Sequence, residues 1–330
     1  MTQRLPTFAD VEAAAARLVG TAVVTPLLRA PELDRRCEAT VLVKAEVLQV
    51  TGSFKIRGAF NRLVQLTASE RRAGVVAWSS GNHAQGVAAA AAFLGMPAVI
   101  VMPSDAPAIK IANTRGWGAE VVTFDRATQD REAIARRIAA ERGAVVVPSY
   151  DDPQIIAGQG TVGLELMAQA RGLGLTVDDV IVPASGGGLA AGIGLAVRHA
   201  NPEARIFTAE PQAYDDHRRS LLAGERQRNP STAGAFCDAL LAPTPGELTW
   251  ALNRQALAGG YGVSDAEVRS AMAFAFEALK VVVEPGGAVA LAALLAGHHP
   301  RPQATRRPTI AVVLSGGNVD AATFPACLGR

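Results

Sequence analysis

Short apolar segments alternate with longer amphipathic or alanine-rich segments along most of the chain. The apolar segments have the length of buried strands and predict strands at residues 41–46, 74–78, 98–102, 120–124, 144–147, 180–183, 204–209 and 309–314. The segments between them have a helical spacing of apolar positions or consist largely of alanine, and predict helices at residues 10–18, 57–66, 84–94, 106–113, 129–142, 161–170, 189–199, 265–279 and 288–297. This alternation favours parallel sheets that are covered by helices on both faces.

The order of these elements predicts an α/β protein with two lobes, each a mostly parallel sheet flanked by helices. We expect residues 51–147 to form a smaller inserted α/β domain. Residues 1–50 and 148–330 would together form the larger domain. The sequence shows no internal repeat and no low-complexity segment that would mark a linker.

Composition narrows the class of protein without pointing to a large charged partner. Hydrophobic residues make up 49% of the 330 residues, and the formal net charge is only +2, so we expect neither nucleic acid nor a membrane as partner. Three scattered cysteines form no disulfide framework and no metal-ligand spacing. The N-terminus lacks the apolar core of a signal peptide, and no apolar run has the length of a bilayer span. These features predict a soluble protein of the cytoplasm.

A single lysine stands out in the segment of residues 51–59. Lys55 follows a Gly-Ser turn and lies between the apolar residues Phe54 and Ile56. Apolar surroundings favour the neutral amine of lysine, which is the form that reacts with carbonyl groups. Taken alone, this segment is more typical of a solvated surface lysine beside a turn. The segments described next favour the catalytic interpretation.

The segment Ser-Gly-Gly-Gly at residues 185–188 lies between a predicted strand and a predicted helix. Three glycines allow the backbone to approach an anion, and the start of the next helix offers free N–H groups, so the segment predicts a phosphate site. An ordinary tight turn is the alternative, but it needs only one glycine. The spacing matches neither the dinucleotide fingerprint nor the P-loop.

Two further polar segments follow predicted strands. Residues 79–83 read Ser-Ser-Gly-Asn-His, and residues 315–318 read Ser-Gly-Gly-Asn. The carboxyl ends of parallel strands are where doubly wound sheets bind ligands, so both segments are candidates for a binding site. A polar helix cap and a structural histidine that closes a turn are the simpler alternatives for the first segment.

These four segments, in this order and spacing, resemble those of the fold-type II pyridoxal-phosphate enzymes, whose fold is the tryptophan synthase beta-like fold. Within these enzymes, the chain is similar to the serine/threonine dehydratase (threonine ammonia-lyase) and serine racemase group over essentially its whole length. The resemblance implies that the larger domain binds pyridoxal 5′-phosphate and that the amine of Lys55 attaches it covalently. It also implies the cofactor contacts Phe54, Asn82, Gly186, Gly187, Gly188, Leu189 and Ser315.

The resemblance also implies how a substrate is held and which reaction follows. The substrate carboxylate would be bound by Ser79, Ser80, Gly81, Asn82 and His83. Lys55 would remove the α-proton, and Ser80 matches the acid/base hydroxyl of the racemases on the opposite face. A neutral serine at the ring nitrogen, Ser315, would favour loss of a β-hydroxyl over transamination.

The implied activity is a lyase that dehydrates and deaminates L-threonine and L-serine to a 2-oxo acid and ammonia. A serine racemase with eliminase activity and a 3-hydroxyaspartate dehydratase are alternatives within the same family, because all three reactions begin with removal of the α-proton. Residues 148–153 lack the His-Pro pair that is common in the most similar dehydratases and racemases, which leaves the substrate open. From another class, a catalytically silent ligand-binding module is the alternative.

The acidic segment after the strand at residues 204–209 is a candidate metal site. Glu210 and Asp216 provide oxygen ligands of the kind that Mg²⁺ and Ca²⁺ prefer, although a solvated acidic turn is the simpler alternative. The resemblance implies that both side chains bind Mg²⁺ or Ca²⁺ together with the carbonyl group of Tyr214. It further implies a homo-oligomer, commonly a homodimer, that acts on a small amino-acid substrate.

Overall fold

The computed structural model describes residues 4–106, 108–230, 236–300 and 306–327. Its helices are α1 (Phe8–Leu18), α2 (Pro31–Cys37), α3 (Lys55–Leu63), α4 (Ala68–Ala73), α5 (Asn82–Phe93), α6 (Ala108–Gly116), α7 (Arg131–Arg142), α8 (Pro153–Gly172), α9 (Gly188–Ala200), α10 (Asp216–Ala223), α11 (Glu247–Ala256), α12 (Asp265–Phe274), α13 (Pro285–Leu295) and α14 (Thr323–Cys327). Its strands are β1 (Leu27–Leu28), β2 (Thr40–Ala45), β3 (Val75–Trp78), β4 (Ala98–Pro103), β5 (Glu120–Phe124), β6 (Val145–Val146), β7 (Asp179–Pro183), β8 (Arg205–Pro211), β9 (Leu257–Val263) and β10 (Thr309–Leu314).

The larger sheet has six strands in the order β1-β2-β10-β7-β8-β9. Its strands pair in parallel, except that β1 is antiparallel to β2. Every residue of β10 is buried, because one face of the sheet packs on α12 and α13 and the other on α8 and α9. Continuous apolar strands are required by this double coverage, and the predicted α/β fold with parallel sheets is confirmed.

The smaller sheet has four parallel strands in the order β5-β4-β3-β6. Alanines of α5 pack on one face, and apolar residues of α7 pack on the other. All four strands lie between residues 75 and 146, which is inside the segment that we predict to be the inserted domain. The domain boundaries themselves stay a prediction.

Helix α3 lies at the junction of the two sheets, since it packs on both α5 and α8. Glycine permits the close approach to α8. A Cβ atom at Gly158 would lie 2.5 Å from the carbonyl oxygen of Arg57, which is shorter than real contacts of that kind. The approach to α5 is similarly close, because a Cβ atom at Gly86 would lie 3.1 Å from that of Lys55. The first turn of α3, which carries Lys55, is therefore fixed from two sides.

Most helix starts differ from the prediction, and two of them bear on the site. Helix α3 begins at Lys55 and not at residue 57, and α8 begins at Pro153 and not at residue 161. Pro153 occupies the first turn of α8, where its missing N–H costs nothing, and the side chain of Asp152 caps the helix. The predicted start of the helix at 106–113 includes residue 107, which lies outside the described residues. In the part of the chain that the structure describes, each helix is either too short or too polar to cross a lipid bilayer.

Candidate functional site

Lys55 is the first residue of α3, the helix that packs on both α5 and α8. Its Nζ donates a hydrogen bond to the carbonyl oxygen of Ser149 at 2.8 Å and lies 5.1 Å from the centre of the Phe54 ring. Burial lowers the pKa of the Lys55 amine from 10.5 to about 8. More of this amine is therefore neutral near neutral pH than of a solvated lysine, in the direction that its apolar neighbours in the sequence predicted.

The turn before Lys55 is joined to the segment that follows β10. The backbone N–H of Phe54 donates to the carbonyl oxygen of Ser315 at 3.1 Å, and Gly317 donates to Gly52 at 2.8 Å. Ser53 and Gly316 form an isolated β-bridge in the same place. Two segments that are far apart in sequence thus meet at the lysine, and Ser315 lies beside the start of α3.

Asn82 connects this junction to the smaller sheet. Its side-chain nitrogen donates to Glu284, and its side-chain oxygen accepts a hydrogen bond of 2.7 Å from Asn318. Burial raises the pKa of Glu284. One oxygen of this buried carboxyl group, Oε2, has no hydrogen-bond partner among the described residues. The amide of Asn82 is therefore held between Glu284 and Asn318, close to Gly316, which pairs with Ser53 in the turn before Lys55.

The segment of residues 79–83 forms the turn from β3 into α5. Ser79 accepts a hydrogen bond of 3.2 Å from the N–H of Gly81, and Ser80 is partly exposed. The Nε2 atom of His83 lies 3.1 Å from the carbonyl oxygen of Val147. Burial and the nearby charge of Lys55 lower the pKa of His83 to about 3, so its ring is neutral. The N–H groups at the start of α5 make this turn suitable for a carboxylate.

The three glycines at residues 186–188 form the turn from β7 into α9. Gly187 has a φ of 92°, in the left-handed region, and caps α9. The ring of Tyr150 occupies the place where a Cβ atom at Gly186 would lie, and Leu189 is buried behind the turn. Carbonyl oxygens of the turn accept hydrogen bonds from α11, including one of 2.6 Å from Thr249 to Gly186. The free N–H groups at the start of α9 are left for an anion.

Lys55 and the glycine turn share one neighbouring segment. Lys55 contacts the carbonyl oxygen of Ser149, and the next residue, Tyr150, lies against Gly186 and Gly188. Behind Gly188 lies Gln159, which is 1% exposed and whose side-chain oxygen and nitrogen have no hydrogen-bond partner in the described part of the chain. Buried polar atoms without partners are rare in folded proteins. A reactive amine, a glycine cradle and a partnerless amide fit a cofactor that carries both an aldehyde and a phosphate.

A second group of ionisable residues lies at the end of β8 and in the first turn of α10. Side-chain ligand atoms of Glu210, Asp216 and His217 lie within 4.8 Å of one another, and all three residues are buried. Burial and the charge of Glu210 raise the pKa of Asp216. Asp216 Oδ2 has no hydrogen-bond partner among residues that the structure describes, and the side chain of Tyr214 is buried nearby. Two adjacent buried carboxylates of this kind fit a cation.

The sequence did not single out several residues that the fold brings to these places. Tyr150 covers the glycine turn, Glu284 holds Asn82, and His217 joins the acidic pair. Arg131, in the first turn of α7, lies near Tyr150, and burial lowers the pKa of its guanidinium group. These side chains carry no motif of their own, so only their three-dimensional neighbours identify them.

Comparison with known proteins places these features in a family. Residues 20–316 match the family described as "Pyridoxal-phosphate dependent enzyme". The chain is 42% identical to the L-threo-3-hydroxyaspartate ammonia-lyase of Pseudomonas sp., with 98% of this chain and 99% of the relative covered. It is 40% identical to the catabolic L-threonine dehydratase TdcB of Escherichia coli K12, with 94% and 92% covered. Its structure is similar to that of maize serine racemase, with a TM-score of 0.92, 36% identity, and 99% and 98% of the two chains covered.

Proposed function

Because the chain belongs to the family of pyridoxal-phosphate dependent enzymes, we propose that it is an ammonia-lyase that removes water and then ammonia from β-hydroxy amino acids. The products are a 2-oxo acid and ammonia. L-Threonine and L-serine are within this substrate class. We propose that L-threo-3-hydroxyaspartate, which carries a second carboxylate, is the better substrate.

The residues around Lys55 can bind the cofactor and move a proton. The cofactor itself supplies an electron sink that stabilises negative charge on the substrate α-carbon. Phe54 would pack beside its ring, Asn82 would donate a hydrogen bond to the ring oxygen, and Ser315 would face the ring nitrogen. The lowered pKa of Lys55 leaves its amine able to accept the α-proton at neutral pH. Ser80 would contact the opposite face of the substrate.

The two helix starts would hold the two anions of the bound molecules. The N–H groups of Gly186, Gly187, Gly188 and Leu189 would bind the cofactor phosphate at the positive end of α9. The turn of residues 79–83 would bind the substrate carboxylate at the start of α5. Since both ends of the reacting molecule are then fixed, the α-proton is held within reach of Lys55.

Arg131 supports the proposal of an acidic substrate. Its side chain is partly buried, yet it makes no hydrogen bond or ion pair with any residue that the structure describes. A cation removed from water without a partner is unfavourable. Arg131 is near Tyr150, whose segment contacts both Lys55 and the glycine turn. The β-carboxylate of 3-hydroxyaspartate would supply the missing partner, whereas the methyl group of threonine would not.

The experiment that tests this function compares L-threo-3-hydroxyaspartate, L-threonine and L-serine as substrates of the wild type and of Arg131→Gln. We expect Arg131→Gln to lower kcat/KM for L-threo-3-hydroxyaspartate by about 100-fold, since a hydrogen bond to a charged group contributes about 1.5–3 kcal/mol. For L-threonine the change should be less than about threefold, because no charged contact is lost. Formation of the 2-oxo acid is measured in each case.

Arg136→Gln is the matched control, because Arg136 lies on the same helix with its side chain 63% exposed and pairs with Glu132. This variant should leave all three activities unchanged. Equal losses for the acidic and the neutral substrates in Arg131→Gln would contradict the role of Arg131. Absence of any 2-oxo acid from all three amino acids would contradict the proposed lyase function as a whole.

The pH dependence of cofactor uptake tests the lowered pKa of Lys55. In protein stripped of cofactor, only the neutral amine reacts with the aldehyde. Since the amine is protonated below its pKa of about 8, the initial rate of uptake should rise with pH to about 8 and then level off. The rate is followed by absorbance, and borohydride trapping identifies the lysine. A rate that still rises steeply above pH 9.5 would indicate an ordinary lysine.

We also propose that Glu210, Asp216 and the carbonyl group of Tyr214 bind a divalent cation, Mg²⁺ or Ca²⁺. Burial and the charge of Glu210 raise the pKa of Asp216, and a cation would relieve the repulsion between these two buried carboxylates. Chelation should therefore lower the melting temperature, and a free cation concentration of 100 times its Kd should restore about 2.7 kcal/mol. Asp216→Asn should remove this response. Indifference of the wild-type melting temperature to chelator would contradict the cation site.

A further inference from the structure

We propose that His217 is a third side-chain ligand of the cation site, through Nδ1. The site would then favour divalent metals that accept nitrogen, such as Mn²⁺ and Co²⁺, over Mg²⁺ and Ca²⁺. This inference rests on the cation site proposed at Glu210 and Asp216, and it changes the ligand set from oxygen alone to nitrogen and oxygen.

The position of the imidazole ring carries the inference. His217 is fully buried, and its Nδ1 atom lies 3.7 Å from Oε1 of Glu210. Both Nδ1 of His217 and Oδ2 of Asp216 are buried without a hydrogen-bond partner in the described part of the chain. A metal at about 2.0–2.2 Å from each ligand separates the ligand atoms by roughly 3–4 Å. The separation of up to 4.8 Å among the three residues therefore needs only a small contraction.

A purely structural role accounts for Glu210 but not for its two neighbours. The Glu210 carboxylate accepts hydrogen bonds from the N–H groups of His217 at 3.0 Å and Arg218 at 2.9 Å, which caps the start of α10. Each of its oxygens keeps a second lone pair that can bind a metal. The cap gives no partner to Nδ1 of His217 or to Oδ2 of Asp216. A cation between the three side chains would satisfy both atoms.

The other ring nitrogen of His217 faces the glycine turn. Its Nε2 lies 3.2 Å from the side-chain nitrogen of Asn253, which also donates a hydrogen bond of 3.2 Å to the carbonyl oxygen of Gly187. A Cβ atom at Gly187 would overlap the imidazole ring, so the glycine is what allows this contact. A metal bound to Nδ1 leaves the ring hydrogen on Nε2. Asn253 can accept a hydrogen bond from this N–H group only if its side-chain amide turns its oxygen towards the ring. Occupation of the metal site is thereby coupled to the bond that Asn253 makes to Gly187.

The chemistry of the ligands predicts the order of metal affinity. Mg²⁺ and Ca²⁺ prefer oxygen ligands, whereas imidazole binds first-row transition metals, with Co²⁺ above Mn²⁺ in affinity. His217→Asn is the informative variant, because its side chain can place an oxygen close to the position of Nδ1. This variant should keep a site for Mg²⁺ and lose the preference for Mn²⁺.

The test uses the cofactor-loaded full chain after metals have been removed by chelation. Kd values for Mn²⁺ and Mg²⁺ are measured by calorimetry, and pulsed EPR of bound Mn²⁺ reports nitrogen in its coordination shell. We expect a nitrogen coupling in the wild type that is absent in His217→Asn. The ratio of the Mg²⁺ Kd to the Mn²⁺ Kd should fall at least about tenfold in the variant. His298→Asn, in a histidine whose side chain is 38% exposed, is the matched control and should change neither result.

The outcomes separate this inference from the cation site itself. Stoichiometric Mn²⁺ that is bound without a nitrogen coupling in the wild type would overturn the role of His217 and leave the site at Glu210 and Asp216 standing. Absence of Mn²⁺ and Mg²⁺ binding in the wild type would overturn both. The wild-type EPR spectrum decides between these outcomes even if His217→Asn does not fold.

Discussion

The Lys55→Ala protein is expected to form 2-oxo acid at least about 10³-fold more slowly than the wild type, because it lacks both the amine that attaches the cofactor and the base that accepts the α-proton. General acid–base catalysis alone contributes about 10²–10⁴-fold in rate. The amine makes a single hydrogen bond, to the carbonyl oxygen of Ser149, so its loss leaves no buried charge unpaired. The folded state should therefore survive. Initial rates with L-threo-3-hydroxyaspartate and L-threonine measure the effect.

Because the chain has few lysines, the lysine that carries the cofactor can be identified directly. The chain has four, and of the other three Lys44 and Lys110 are buried in ion pairs with Glu165 and Asp238. Lys280 is exposed, and its left-handed backbone makes asparagine the suitable replacement, so Lys280→Asn is the control. After borohydride reduction, mass spectrometry should find the cofactor on Lys55 in the wild type and in Lys280→Asn. Cofactor attached to another lysine in the wild type would contradict the assigned site.

The strands at the centre of the sheets could be predicted because burial on both faces leaves an unbroken apolar segment. Strand β10 has the predicted bounds, and β4 differs by one residue. Strand β9 was not predicted. It contains three glycines and is mostly half-buried at an edge of the sheet. These residues therefore form a strand because they pair with β8, and not because of their own strand propensity. Helix α10 was also missed, because Glu210, six residues before its first residue, caps its N-terminus.

Some residues of the candidate site could likewise be predicted from the sequence, and others could not. Lys55, the turn of residues 79–83 and the glycine turn are local motifs, and each has a physical reason that can be read from adjacent residues. Arg131 and His217 look like ordinary members of a charged helix and an acidic turn. Only their neighbours in the fold, such as Tyr150 and Asn253, identify them as parts of a site. These neighbours lie at no fixed spacing in the sequence, so no local pattern could predict the contacts.

Arg57, two residues after Lys55, is expected to be the largest single contributor to stability among the charged side chains described here. It is 1% exposed and makes paired hydrogen bonds of 2.7–2.9 Å with the carboxylates of Glu46 and Glu165. Lys44 pairs with Glu165 at 2.6 Å and makes the group electrically neutral. The network ties the end of β2 to α3 and α8. Removal of one member leaves buried charge uncompensated.

Arg57→Met should therefore lower the free energy of unfolding by about 3–5 kcal/mol, which is the typical cost of breaking a buried ion pair from one side. Chemical denaturation measures the loss. Arg137→Met is the control, because Arg137 and Glu141 form a pair whose side chains are 64% and 58% exposed, and its loss should cost less than about 0.5 kcal/mol.

The decisive comparison adds Glu46→Gln to Arg57→Met. If the cost comes from an unpaired buried carboxylate, then neutralising Glu46 should recover part of the lost stability in the double variant. Glu46→Gln alone should be destabilising, because Arg57 then loses one of its two anions. A double variant that is less stable than either single variant would mean that packing, and not charge, sets the cost. In that case the first turn of α3 would owe its position mainly to the close glycine contact between α3 and α8.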